Sequence, residues 1–387
     1  MIVVIADDLS GAAELAGIGL RYALDVEMST AVNDSNADLL VIATDTRSMK
    51  EEDAMTEMEK VTSEVMLLHP KLIYKKVDSV LRGHVIAELK AQLRILDHER
   101  ALVVAANPSL NRTISDGTFF YHDQPIHLSS FSNDPEFSIK TSNVLEMLRV
   151  NDTSVQLRKK DDKLSEHGIV VGEVTNSEDM KAWAKRIKKN ILPAGASGFF
   201  TAILDTMHIK GNKEEEETAS EELEQTTLFV CGTTFNKSRE TIKEIKLNDG
   251  PVSYMPEEIV DLKAFDDELY QVWSNEIASF IHSKGKAIIS IDAGSVEGKH
   301  VTAAMLREKT AIIVEEVLKQ TRIHELFIEG GSTAAAVIRK LGFETFIPIE
   351  ELGPGVVRMR VKDREDLCIT VKPGSYEWPA KVWDFKY

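Results

Sequence analysis

The sequence predicts an α/β protein of two lobes with mainly parallel sheets and an interdomain active-site cleft. Short apolar runs rich in β-branched residues alternate with amphipathic helix patterns along both halves of the chain. The length of 387 residues exceeds what a single hydrophobic core usually accommodates, so two domains are expected. In the first half, each of the first four apolar runs ends at a polar cluster, which is where open α/β sheets bind ligands.

The chain opens with a buried strand predicted at 2–5, followed by Asp7, Asp8 and a helix that begins near Ser10 and Gly11. Two carboxylates therefore lie at the carboxyl end of a strand, beside a helix amino terminus, which favours negative charge. A plainer interpretation is that one aspartate only caps the helix. Capping does not account for the second acid.

The next three buried strands are predicted at 39–44, 72–74 and 101–106, with helices at 51–68 and 85–96. Because the ends of parallel strands lie side by side, the polar residues that follow these strands are expected to converge on one cleft. The converging residues include Asp45, Arg47, Lys75, Lys76, Asp78, Arg82 and Asn107.

The pattern then becomes irregular, with many turn residues, over 107–135. A hairpin-like arm is expected there, in which 119–121 pair with 125–128. Beyond the arm, the apolar runs predict strands at 169–174 and 198–204, separated by a helix at 177–191.

A glutamate-rich stretch separates the two halves. Around 213–222 apolar residues are nearly absent and like charges accumulate, so burial cannot offset the entropy lost on ordering. We therefore predict a first domain at 1–207, an acidic linker at 208–226 and a second domain at 227–387. An exposed helix of the first domain is the alternative interpretation of the acidic stretch.

The second half repeats the α/β pattern, with strands predicted at 228–231, 287–291, 325–328 and 367–371 and helices from 239 and at 301–320 and 334–341. These strands end in Gly, Ser and Thr rather than in acids and cations. Such turns let backbone N–H groups and a helix amino terminus approach a phosphate. Ordinary turn glycines would explain any one of these turns, but less readily the whole set.

Composition excludes several classes of protein. A formal charge of −17 argues against a nucleic-acid partner, and no apolar run approaches the roughly 20 residues that span a membrane. Cys231 and Cys368 are the only cysteines, which indicates a reducing, cytoplasmic compartment. The histidines lack metal-ligand spacing, no P-loop is present, and Tyr22 occupies the third glycine position of a dinucleotide fingerprint. A homo-oligomer remains open.

The two halves together offer the minimal equipment of a small-molecule kinase. Acids can accept hydrogen bonds from a polyol, an arginine can hold a carboxylate in a bidentate fork, and the second half can hold phosphates.

The chain resembles the four-carbon acid sugar kinases, which phosphorylate threonate, erythronate or 3-oxo-tetronate with ATP. The resemblance covers nearly the whole chain. It is carried by IADDLSGA (5–12), TDTRS (44–48), KKVDSVLRG (75–83), NPSLNRTISDG (107–117) with the later Phe131 and Asn133-Asp134-Pro135, CGTT (231–234), EGGSTAAAVIRKLG (329–342) and KPGSYEW (372–378). The amino-terminal blocks are the more specific ones.

The resemblance implies a substrate site in the first domain and a nucleotide site in the second. Substrate is expected to be held by Asp7, Asp8, Arg47, Lys76, Asp78, Ser79, Arg82 and Arg112. ATP is expected at Thr233, Gly330, Gly331, Ser332, Thr333 and Gly374. We assign catalysis to Asp8, with Asp78 as the second candidate, and the substrate carboxylate to Arg82. Mg²⁺ is expected with ATP, without a dedicated protein site.

Two other functions stay open from sequence alone. One is a sugar-acid sensor without catalysis, against which the retained GGST turn argues. The other is a phosphohydrolase with Asp7 as the nucleophile, which is less favoured because that chemistry usually uses D-x-D and the two acids here are adjacent.

Overall fold

The structure is a computed structural model that describes residues 1–133, 137–150, 153–209, 226–232, 236–262, 264–292, 294–374 and 376–385. The chain divides into two compact units, Met1–Glu215 and Glu216–Tyr387. The predicted linker, 208–226, lies outside the described residues except for 208, 209 and 226. None of the described helices combines the length and apolar character needed to cross a membrane.

The first unit alternates strands with helices, as the sequence predicts. Its strands are β1 (Ile2–Ala6), β2 (Val26–Ser29), β3 (Leu39–Ala43), β4 (Leu72–Lys76), β5 (Arg100–Val104), β6 (Arg112–Ser115), β7 (Thr118–Tyr121), β8 (Gln124–Pro125), β9 (Val155–Arg158), β10 (Gly168–Gly172) and β11 (Ile191–Gly195). Its α-helices are α1 (Leu9–Arg21), α2 (Glu51–Leu67), α3 (Val85–Leu96), α4 (Val144–Met147), α5 (Ser177–Ala184) and α6 (Ser197–Thr206). Short 3-10 helices occur at Thr46–Ser48, Pro108–Leu110, Ile126–Leu128 and Ser130–Asn133.

The main sheet of this unit is parallel, with strand order β2-β3-β1-β4-β11-β5-β10-β9. Val3, Val4 and Ile5 have no solvent exposure, as expected of a strand covered on both faces. β3 lies on one side of β1 and β4 on the other, so the direction of strand addition reverses at β1. Open α/β sheets bind ligands at such a reversal, beyond the carboxyl ends of the strands.

The predicted hairpin-like arm is confirmed in its pairing. β7 pairs with β8 through Phe120 and Pro125, and β6 adds to the other edge of β7 to form a separate antiparallel sheet. Only Gln124 and Pro125 of the second arm are strand, because residues 126–128 turn into a 3-10 helix.

The strand predicted at 198–204 is wrong, because those residues belong to helix α6. Phe199, Phe200, Ile203 and Leu204 are buried at helical spacing, and so short an apolar run does not distinguish a buried helix from a buried strand. The actual strand, β11, begins at Ile191, where the predicted helix 177–191 ends, whereas α5 already ends at Ala184. No element is predicted at 192–197, and β11 contains Pro193, a residue type that is uncommon in interior strands.

The second unit begins with the same alternation. Its strands are β12 (Thr227–Cys231), β13 (Val252–Tyr254), β14 (Lys286–Ser290), β15 (Glu325–Glu329), β16 (Thr345–Gly353), β17 (Val356–Val361) and β18 (Arg364–Lys372). Its helices are α7 (Asn236–Leu247), α8 (Glu257–Asp261), α9 (Asp267–Lys284), α10 (Ala303–Gln320) and α11 (Gly331–Leu341). The order is β13-β14-β12-β15-β18-β17-β16, parallel as far as β18 and antiparallel from there.

Candidate functional site

The carboxyl ends of β1, β3 and β4 bring the predicted polar residues of the first unit together. Ala6, the last residue of β1, pairs with Ala43 of β3 and with Lys76 of β4. Because the three strands end level with one another, the segments that follow them start from one edge of the sheet. Asp7 and Asp8, Arg47, and Asp78 all lie in those segments.

Arg47 lies at the centre of this edge and binds three carboxylates. Its Nε and NH2 donate to the two oxygens of Asp7 at 2.8 Å each, and NH2 also donates to Asp8 Oδ1 at 2.8 Å. NH1 lies 3.4 Å from Asp78 Oδ1. A guanidinium can hold several carboxylates in fixed geometry because its donors form a rigid planar fork. Arg47 is therefore bonded to acids of the protein itself.

Asp8 caps helix α1, as the plainer interpretation expected, and it also belongs to the ion-pair cluster around Arg47. Its Oδ1 accepts from the backbone N–H of Gly11 at 3.0 Å, which caps α1, and its Oδ2 accepts from Ser10 Oγ at 2.5 Å. Burial alone would raise the pKa of the Asp8 carboxyl, but Arg47, Lys76 and the Ser10 hydroxyl together hold that pKa below 3.8. Asp8 is thus ionised at neutral pH and bonded on both oxygens.

Asp78 binds Arg82 side-on, with Nε and NH2 of the arginine each 2.8 Å from a carboxylate oxygen. The backbone N–H groups of Val80 and Arg82 also donate to Asp78 Oδ2, at 3.2 Å each. Burial opposes ionisation, yet Arg82 and Arg47 outweigh it and hold the pKa of Asp78 well below its ordinary value. The side chain of Asp78 is 6% exposed and that of Arg82 21%, so this is not a solvated surface pair.

This pairing bears directly on the role predicted for Arg82. A side-on pair uses the Nε and NH2 edge of a guanidinium, which is the edge that we assigned to the substrate carboxylate. In the structure Asp78 occupies that edge. The sequence could not indicate this, since a spacing of four residues does not reveal which acid an arginine meets.

Gly83 allows Arg47 to reach the aspartates. It adopts φ of 87°, in the left-handed region, and a Cβ placed on it would lie 3.1 Å from Arg47 Cγ and 3.6 Å from Asp7 Oδ2. Any L-residue at this position would combine an unfavourable backbone with a contact against the ion-pair cluster.

The remaining predicted substrate residues lie around this cluster. Lys76 Nζ donates to the carbonyl of Val77 at 3.0 Å and lies 3.7 Å from Glu14 Oε2. Arg112, at the start of β6, donates from NH1 to Ser79 Oγ at 2.7 Å, which attaches the irregular arm to the residue after Asp78. The predicted motif residues Asp134 and Pro135 lie outside the described residues.

Lys75 was named among the converging cations but points away from them. It is fully buried and pairs with Glu88 of α3 at 2.6 Å. Successive side chains of a strand alternate between its faces, so Lys75 and Lys76 cannot serve the same site. This alternation could have been used on the sequence alone to assign Lys75 and Lys76 to opposite faces of the sheet.

Four of the six predicted nucleotide residues, 330–333, lie at the start of α11. Gly330 precedes the helix with φ of 96° and donates its N–H to the carbonyl of Lys372 at 2.8 Å. A Cβ placed on Gly232 would lie 2.5 Å from Thr333 Oγ1, so the turn after β12 passes close to that after β15. Gly331 and Ser332 are half-buried in the first turn of α11, and so is Gly374 in the turn after β18. Thr233 lies outside the described residues.

A buried ion pair behind this turn was not predicted. Lys372 Nζ lies 3.2 Å from Glu329 Oε1, at positions where β15 and β18 pair in register, and neither side chain is exposed. Ser238 Oγ and Trp378 Nε1 also donate to the Glu329 carboxylate, at 2.8 and 3.1 Å. Burial lowers the pKa of Lys372, and Glu329 offsets part of that effect. The sequence feature that could have predicted this pair is an acid and a lysine, each at the end of a predicted parallel strand.

Comparison with known proteins matches two parts of the chain to two family models. Residues 2–203 match the family model of a sugar-binding N-terminal domain, and residues 228–376 match that of a nucleotide-binding C-terminal domain. A chain with these two domains is a phosphotransferase of the class that acts on an alcohol group. This one belongs to the four-carbon acid sugar kinase family.

Relatives that match over nearly the whole chain do so at low identity. A D-threonate kinase of Salmonella typhimurium is 24% identical over 433 residues, covering 100% of this chain and 97% of its own. A 3-oxo-tetronate kinase of Haemophilus influenzae is 22% identical and covers 97% of both chains. A D-erythronate kinase of Heliobacterium modesticaldum is 30% identical, but over 38% of this chain.

Solved structures share the fold. A protein of Salmonella typhimurium superposes with a TM-score of 0.75 at 16% identity, covering 98% of this chain and 97% of the other. A protein of Haemophilus influenzae superposes with a TM-score of 0.66 at 18% identity, covering 98% of each chain. The predicted α/β fold class is therefore confirmed.

Proposed function

We propose that the protein phosphorylates the terminal hydroxyl of a four-carbon sugar acid of the threonate, erythronate or 3-oxo-tetronate type, with ATP as the donor. The observation that carries this proposal is the ion-pair cluster of Asp7, Asp8, Arg47, Asp78 and Arg82 at the strand ends of the sugar-binding domain. The activities named for the family's relatives fit the same chemistry.

Asp8 is the group proposed to orient the reacting hydroxyl. Its pKa lies below 3.8, so it is an ionised but weak base at neutral pH. The phosphoryl-transfer transition state is loose, and little proton abstraction is required before the new bond begins to form. Asp8 then contributes chiefly by accepting a hydrogen bond from the hydroxyl and aiming it at the γ-phosphorus, with Asp78 as the second candidate.

ATP is proposed to bind the turn formed by Gly330, Gly331, Ser332 and Thr333, together with Thr233 and Gly374. The N–H groups at the amino end of α11 face outward from the helix and carry its positive dipole, which suits phosphate oxygens. Mg²⁺ is expected to arrive with the nucleotide, since it is held mostly by phosphates and water rather than by a protein cage. The cytoplasm stays the expected compartment.

The test is to incubate the protein with ATP and a panel of four-carbon acids that differ in stereochemistry, and to identify products by mass spectrometry. A phosphorylated acid supports the proposal and names the substrate. Binding of an acid without turnover would indicate a sensor, and phosphate release that does not depend on an acceptor would indicate a hydrolase. The Asp8→Asn variant, run in parallel, separates turnover by this site from a contaminating kinase.

A further inference from the structure

Three arginines of the first unit lie at or beside the proposed substrate site, and they differ in what occupies their side-on edge. In Arg47 and Arg82 the edge formed by Nε and NH2 binds an aspartate, Asp7 and Asp78 respectively. In Arg112, NH1 donates to Ser79, while Nε is buried and has no hydrogen-bond partner in the part of the chain that the structure describes.

Arg112 is also a buried cation with no acidic partner among the described residues. Only 5% of the residue is exposed, and no described acid forms an ion pair with it. A buried charge is unfavourable unless an opposite charge and hydrogen bonds compensate for it. A bound anion with two oxygens would supply both to the unsatisfied edge.

Neighbouring groups hold the Arg112 guanidinium in place. Its Cζ lies 5.6 Å from the ring centroid of Phe131 and 5.9 Å from that of Tyr121, and Ser79 fixes NH1. Ring contacts of this kind stabilise a cation without consuming its N–H donors. The guanidinium is thus held in position, and its Nε keeps an N–H that no described group accepts, which suits prearranged recognition of an anion.

We propose that the Nε and NH2 edge of Arg112, rather than that of Arg82, binds the carboxylate of the sugar acid. This inference rests on the proposed function. It makes Arg112 the residue that determines the preference for acids over neutral sugars. Ser79, which Arg112 contacts, follows Asp78 directly, so the edge belongs to the same cluster as the acids proposed to meet the hydroxyl groups. The carboxylate and the reacting hydroxyl would then be held at opposite ends of the ligand.

The experiment compares ligands that differ only in the carboxylate. Isothermal titration measures the affinity of the wild-type protein, Arg112→Lys and Arg112→Gln for the four-carbon acid that is turned over and for the matching alditol. We expect wild type to prefer the acid, and both variants to lose at least about tenfold in acid affinity, about 1.4 kcal/mol, with alditol affinity unchanged.

Arg100→Lys is the matched control, because Arg100 also has a buried Nε without a partner among the described residues and an NH1 that donates to a carbonyl, but lies at the amino end of β5. It should bind the acid as wild type does. Wild-type acid affinity in either Arg112 variant, or equal loss of acid and alditol, would overturn the inference.

Two further outcomes are covered by the experiment: unfolding of a variant, and loss of affinity for a different anion. If one Arg112 variant unfolds, the other carries the comparison, and in the wild type equal affinity for acid and alditol contradicts a carboxylate site. If Arg112→Lys loses affinity for inorganic phosphate or ADP but not for the acid, the edge binds a phosphoryl group and the inference is wrong. Failure of the proposed function is distinguishable, because wild type would then phosphorylate none of the acids.

Discussion

Lys372 and Glu329 face each other at the ends of two neighbouring parallel strands, with Nζ and Oε1 3.2 Å apart and neither side chain exposed to solvent. Removal of one partner leaves the other charge buried and uncompensated, which typically costs about 3–5 kcal/mol. Lys372→Met should therefore lower the free energy of unfolding by about 3 kcal/mol, near the low end because Ser238 and Trp378 still donate to Glu329.

Urea denaturation followed by tryptophan fluorescence measures this change. The double variant Lys372→Met with Glu329→Gln should recover much of the loss, since no buried charge then remains. Lys319→Met is the control, because Lys319 pairs with Glu315 and Glu316 while 58% exposed, and such pairs contribute within about 1 kcal/mol. Equal destabilisation by Lys372→Met and Lys319→Met would contradict the importance of burial.

Acid stability should depend on the Asp78–Arg82 pair. The pKa values of Asp8 and Asp78 are lower in the fold than the ordinary value of 3.8, so their contribution to stability is complete above that value and is lost as pH falls towards the folded values. Arg82→Gln removes the main cause of the lowering at Asp78. The acid-unfolding midpoint, measured by circular dichroism, should therefore move to higher pH, and a midpoint unchanged from wild type would refute this account.

Asp8→Asn should lower turnover by about a hundredfold or more with a modest change in the Michaelis constant for the acid. Asparagine caps helices as well as aspartate does, so α1 should still form. Steady-state kinetics with the identified acid measures the effect. Asp38→Asn, an exposed aspartate just before β3, should retain wild-type rates. A turnover reduced less than about threefold would remove Asp8 from the reaction.

Gly331→Val should weaken ATP binding by at least about tenfold, about 1.4 kcal/mol, because the side chain would block approach of phosphates to the start of α11. Residue 331 lies inside the helix, so valine meets no left-handed backbone there. Affinity for the sugar acid, measured on the same variant, is the internal control and should not change. ATP affinity equal to that of wild type would exclude this turn from the nucleotide site.

Limited proteolysis should cut first within 208–226, since that stretch is rich in glutamate and poor in apolar residues. We expect two protease-resistant fragments, identified by mass spectrometry, that correspond to 1–207 and 227–387. First cleavage within 1–207, with the acidic stretch intact, would show that the domain boundary is misplaced.

The sequence predicts five strands of the first unit's parallel sheet, β1, β3, β4, β5 and β10, because they are continuous apolar runs that stop at polar residues, as at Asp7 after β1. It does not predict β2, β9 or β11. It predicts the second unit less completely. Strand β17 carries Arg358 and Arg360 at alternating positions, and β16 contains Pro348 and the adjacent Glu350 and Glu351, so neither strand is a continuous apolar run. Helix α9 is also absent from the prediction, although Tyr270, Trp273, Ile277, Ala278 and Ile281 are buried at helical spacing, so the sequence carried its signal.

Which residues gather at the candidate site could be read from the strand ends, but their partners could not. Asp78 and Arg82 were expected to act on different parts of a substrate, and the structure joins them in a side-on pair. Glu329 and Lys372 are 43 residues apart in sequence and meet only because β15 and β18 are neighbours. Pairing of this kind depends on sheet order, which local periodicity does not specify.

Because β1, β3 and β4 end level with one another, they restrict where residues can be inserted or deleted without loss of the ion-pair cluster. A single-residue deletion within β1 would reverse the faces to which Asp7 and Asp8 point and withdraw both from Arg47, because side chains alternate along a strand. The same deletion at the amino-terminal side of β3, around 30–38, would leave the ion-pair cluster where it is. Insertions and deletions that preserve activity should therefore accumulate at the amino-terminal edge of this sheet. In a library of random single-codon deletions selected for activity, tolerated deletions should be found before the strands and should be absent from the strands and their carboxyl ends.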